Sequence, residues 1–98
     1  MSQEKIKLAH LYCQQADTSR QLGNIDEAVA HFTKAIDIYK RMAEEEPACW
    51  SLVADTIEHV GATYKAAGEL QKADETFKEV ASLREMILRS QATTADDF

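Results

Sequence analysis

The chain has 98 residues, 45% hydrophobic and 29% charged, which bounds it to one domain with a core and a solvated surface. Lys and Arg number 11 against 17 Asp and Glu, a net charge of −6 that argues against phosphate-backbone binding and against an acidic membrane surface. One Pro and three Gly favour long helices over a turn-rich β fold, and no apolar run approaches the ~18 residues of a membrane span.

The opening "MSQEKIKLAH" has no signal-peptide pattern. Cys13 and Cys49 make no disulfide framework, and two reduced thiols place the chain in the cytoplasm. The first helix is expected over about Gln3 to Leu22, with Ser2 as N-cap and Glu4 in the first turn. Leu8, Leu11 and Leu22 share one side and Ala9, Tyr12, Cys13 and Ala16 an adjoining one, a width that predicts more than one neighbour. Gly23 suits a left-handed helix end, and Asn24 with Glu27 suggests a capping box. A second helix follows over about Ile25 to Glu45, with the stripe Ile25, Ala28, Val29, Phe32, Ala35, Ile36, Tyr39, Met42 and Ala43.

Pro47 in "EEEPACW" ends that pattern and opens a third helix, about Ala48 to Ala67, with Val53, Ala54, Ile57, Val60, Gly61 and Tyr64 inward. Gly68 repeats the role of Gly23, and a fourth helix runs from about Leu70 to Ser90. The last stretch, "QATTADDF", reads as a disordered acidic tail over 91–98, leaving residues 1–91 as the folded domain.

Gly23, Ala28 and Phe32 recur 45 residues later as Gly68, Ala73 and Phe77. The chain is therefore all-α: two stacked antiparallel helical hairpins, one over about 3–46 and one over about 47–90. Ala28 and Ala73 let the backbones of each hairpin approach, Phe32 and Phe77 fill the space beside the crossing, and Gly61 is the small residue opposite.

The stretch "VGATYKAAGELQKADETFKEV" resembles a tetratricopeptide repeat, with Val60, Gly61, Tyr64, Gly68, Ala73 and Phe77 at that family's signature spacing. The first hairpin agrees at Gly23, Ala28, Phe32 and Ala35, but has Ala16 for the helix A Gly and Gln15 and Ser19 at usual hydrophobic places. The 45-residue period is similar to the elongated repeats of kinesin light chains, with "DIYKRMA" and "SLREMIL" in the lengthened part of helix B. The first half also resembles the opening hairpin of a microtubule-interacting-and-trafficking domain, which would leave the duplication unexplained.

The resemblance implies a concave face lined by the A helices: His10, Cys13, Asp17 and Arg20 from the first, and Asp55, Glu58, Ala62 and Lys65 from the second. Cys13 and Asp17 stand where a Lys and an Asn would clamp a peptide carboxylate in some members.

Catalytic and metal chemistry find no support in the residues. His10 and Cys13 could face one metal, but no second ligand pair completes a zinc site, and His31 and His59 stand alone. No Gly-rich loop supplies an oxyanion hole or holds phosphate. The pairs Asp26–Glu27 and Asp74–Glu75 sit at helix N-termini, where the dipole accounts for them. Neither an enzyme nor a cofactor is expected.

The leading expectation is a non-enzymatic module or adaptor that binds a peptide or helix of a partner protein. The alternative is a self-associating scaffold, a homodimer through Trp50, Val80, Leu83, Ile87 and Leu88, because two repeats leave open ends. Trp50 stays open between packing on the second helix and anchoring an interface.

Overall fold

The computed structural model describes residues 3–96, with side chains described through residue 91. Four helices follow one another: α1 (Gln3–Gln21), α2 (Ile25–Glu45), α3 (Trp50–Ala66) and α4 (Leu70–Asp96). A 3-10 turn, Pro47–Cys49, leads into α3. The fold is all-α, and the described residues contain no strand. α4 continues past Ser90 to Asp96, so backbone expected to belong to a disordered tail is helical; residues 97–98 of that tail lie outside the described residues. "QATTAD" has no apolar stripe, but it also has no Gly or Pro to stop the helix.

Both hairpin turns are the same device. Gly23 and Gly68 each have φ of 82°, and Asn24 N–H donates to the Ser19 carbonyl as Glu69 N–H donates to that of Tyr64. With Gly23 N–H to the Arg20 carbonyl and Gly68 N–H to that of Lys65, each end closes as a Schellman motif. The expected capping box is absent. Asn24 makes no side-chain cap bond, and its N–H, which Glu27 would have accepted, is already taken by Ser19.

α1 packs on α2, α2 on α3 and α3 on α4, while α1 and α3 share no substantial contact. The molecule measures 50 × 33 × 13 Å. Four helices side by side at roughly 9 Å spacing would span about 32 Å between outer Cα atoms. The helices therefore lie in one layer in chain order. The cause is the double-sided stripe of α2: Phe32, Ala35, Ile36, Tyr39, Met42 and Ala43 are all buried, and α2 takes α1 on one flank and α3 on the other.

α1 does not use its leucines. Ala9, Ala16 and Ser19 are buried against α2, while Leu8, Leu11 and Leu22 are exposed. The Ala ridge permits close approach, and α1 at the edge of the layer meets one main neighbour where two were expected. Thr56 and Thr63 of α3 are buried because each hydroxyl donates to a carbonyl one turn back, Leu52 and His59.

Candidate functional site

The A-helix residues do not converge. α2 lies between α1 and α3, so His10, Cys13, Asp17 and Arg20 sit on one helix and Asp55, Glu58, Ala62 and Lys65 on another that does not pack on it. Several are already engaged. Arg84 of α4 donates to Asp55 Oδ1 at 2.9 Å and forks onto Glu58 at 3.0 and 3.2 Å, which holds the Glu58 carboxyl below its usual range. Asp17 pairs with Arg20 at 3.6 Å. Cys13 is half-buried beside Tyr39, whose ring also meets His10 edge-on at 6.3 Å. Burial first, then Cys13, pushes the Tyr39 hydroxyl up to about 12, and burial raises the Cys13 thiol as well.

These two clusters are one position written differently. Arg84 stands 45 residues after Tyr39, Asp55 after His10 and Glu58 after Cys13. In each hairpin, helix B reaches the same two places on helix A, with an aromatic and a thiol in the first and an ion-pair fork in the second. Sequence reasoning missed this role for Arg84, although the repeat register could have shown it.

The self-association residues divide. Trp50, Leu83 and Ile87 line one cleft of ≈ 740 Å³ with Pro47, Ser51, Met86 and Ser90. Trp50 and Leu83 are half-buried against the core, while Met86 is 62% exposed. Val80 is itself core and has no surface to offer, because it takes the inward place of Ala35 in the repeat. Leu88 is 65% exposed but does not line the cleft.

On α4 the stripe Leu83, Met86, Ile87, Ser90 has the i, i+3, i+4, i+7 spacing of one helix face, about two turns long. Pro47, Trp50 and Ser51 form the facing wall, held by the 3-10 turn and the first turn of α3. Neither Met86 nor Pro47 was among the contact residues expected from sequence. Such a groove can seat an amphipathic segment by its apolar side. Among the described residues no group of three or more His, Cys, Asp and Glu is placed to hold a metal ion, and no helix is long and apolar enough to cross a membrane.

Residues 9–42 match the tetratricopeptide repeat family. The match spans most of α1 and α2, the hairpin in which fewer signature positions agree, while more of them agree in the second. No curated protein and no solved structure matches the chain. Tetratricopeptide repeats generally mediate protein–protein interaction and are typically non-enzymatic.

Proposed function

We propose that this chain is a cytoplasmic, non-enzymatic adaptor whose second hairpin takes a peptide or helix of a partner protein in the cleft between Pro47–Ser51 and the stripe Leu83–Ser90. One observation carries the reading: a half-buried Trp and an exposed Met face each other across an apolar cleft on a repeat scaffold. The 45-residue period and the 21-residue α2 support a likeness to the elongated repeats of kinesin-light-chain-type scaffolds. Exposed His10 and Lys65, with the Asp17–Arg20 pair, offer a weaker polar contact surface on the A helices. The two free thiols agree with a reducing compartment.

Selection of displayed peptides on the immobilised chain tests this, with Met86→Glu as counter-selection. Enrichment of peptides lost with Met86→Glu is expected. Enrichment indifferent to that variant, or none at all, overturns the cleft as the site.

A second reading, self-association, rests on the outer face of α4. Ala43 of α2 is buried, but Leu88, its counterpart 45 residues on, is 65% exposed. Light scattering at micromolar concentration, with Leu88→Glu as control, decides it: a dimer mass lost in the variant supports this reading, and a monomer mass rejects it.

A further inference from the structure

We infer, building on the interaction reading above, that the Trp50–Met86 cleft selects a basic amphipathic helix: a segment with an apolar i, i+3/i+4, i+7 stripe flanked by Lys or Arg. Three observations converge on that occupant.

The first is that folding does not ask for these apolar side chains. Forty-five residues earlier, Lys5 stands for Trp50 and Arg41 for Met86, both exposed. The same scaffold accepts exposed Lys and Arg side chains at those places in the first hairpin. In the second they are replaced by a Trp packed on the core edge and a Met held 62% exposed. An exposed Met beside a Trp costs solubility without adding core, and it is the adaptable side chain of surfaces that grip apolar helices.

The second is charge. Glu44, Glu45 and Glu46 are exposed at the C-terminal end of α2, and Glu46 directly precedes Pro47 of the cleft wall. The helix dipole disfavours carboxylates there, and among the described residues none of the three is in an ion pair. Glu46 only accepts a long contact from the Cys49 thiol, at 3.9 Å. Arg89, the residue before Ser90 of the cleft, is paired with Glu85. A Lys or Arg on the partner would relieve the corner, and the chain's net charge of −6 would steer it in.

The third is shape. The α4 wall is a helix stripe about 12 Å long facing a short, rigid turn. A helix laid along it can interlock side chain for side chain, whereas an extended strand finds no sheet edge to pair with. The first hairpin has Lys5 and Arg41 at the equivalent places, charged side chains where the second hairpin has apolar ones.

Trp50 is the single Trp of the chain, so its emission reports the cleft directly. The probe is a synthetic Leu/Lys amphipathic helix of about 18 residues, five turns long, compared with a Leu/Glu peptide of the same apolar pattern. The Leu/Lys peptide is expected to shift Trp50 emission saturably and to bind roughly tenfold more weakly to Met86→Glu. Charge reversal at Glu45→Lys with Glu46→Lys is expected to weaken it about threefold or more and to flatten its salt dependence. Equal binding of the Leu/Glu peptide, or unchanged binding to the charge-reversed chain, overturns the basic-partner inference while leaving the interaction reading intact. Unchanged binding to Met86→Glu overturns both. A Trp50 shift that follows protein concentration without peptide means a second copy fills the cleft, and overturns the inference.

Discussion

Phe32 of the first hairpin is 2% exposed, its ring stacked on His59 of α3 at 5.9 Å and 9°. Phe77, at the same place in the second, is only half-buried. It lies so close to Gly61 that a methyl built there would stand 2.7 Å from its ring, yet its far side has no equivalent of His59 among the described residues. The hairpins share turns, crossings and register, and differ in whether helix B has a second neighbour. α2 is closed on both flanks; α4 keeps one open. A repeat unit thus supplies geometry, and its position in the layer decides which of its side chains become core and which become surface.

The largest expected effect breaks the comparison at that aromatic pair. Phe32→Ala removes a ring held between α1, α2 and α3 and should cost about 3–5 kcal/mol, enough to unfold a small domain. Phe77→Ala should cost about half as much, since a half-exposed ring forfeits less burial and leaves a cavity open to water. Urea midpoints of the two variants check the ratio; equal losses would mean that α4 is covered in solution.

The turns sharpen the comparison from the other side, because here the hairpins should agree. Val at position 23 or 68 meets open space but a backbone at φ 82°, so the penalty is conformational alone. Each substitution should cost about 1–2 kcal/mol, and the two values should match. A thermal midpoint that falls for one and not the other would show that one turn is not the Schellman motif described.

The smallest effects distinguish the two latches by pH. Tyr39 and Cys13 are neutral in the fold with pKa values raised above those of the unfolded chain. As pH climbs past the ordinary values of 9.0 and 10.0, the unfolded chain ionises first, and stability drains until about 12. Glu58 runs the other way: its pKa is lowered by Arg84, so its contribution is present above 4.5 and is lost as pH falls through the folded value. Tyr39→Phe should remove part of the alkaline slope, and Arg84→Ala part of the acid slope with a loss under about 1 kcal/mol at neutral pH. Stability profiles in which the two variants exchange these effects would contradict the assignment.

Much of this plan was legible. Gly23 and Gly68 announce their turns because a left-handed residue has few chemical solutions, and the stripe of α2 gives its face and its bounds, Ile25–Glu45. What the sequence obscured follows from chemistry that a polarity pattern cannot encode. Thr56 and Thr63 were not among the inward residues named for the third helix, yet they are buried, with their hydroxyls satisfied within their own helix. Leu8, Leu11 and Leu22 read as core, but α1 has one main neighbour and an Ala ridge to meet it. Among the residues named for self-association, Trp50, Leu83 and Ile87 share one cleft, whereas Val80 is core. Asp55 and Glu58 looked like open carboxylates because Arg84, 29 and 26 residues away, is invisible to local reading.

The account turns on the second hairpin, not the A helices, meeting the partner. Backbone amide shifts of the isotope-labelled chain, recorded while a selected or Leu/Lys peptide is added, test that most directly. The account predicts movement concentrated at residues 47–51 and 83–91, with 10–20 of α1 undisturbed. Shifts concentrated on α1 and on Ala62 and Lys65 of α3, with the Trp50 cleft silent, would contradict it.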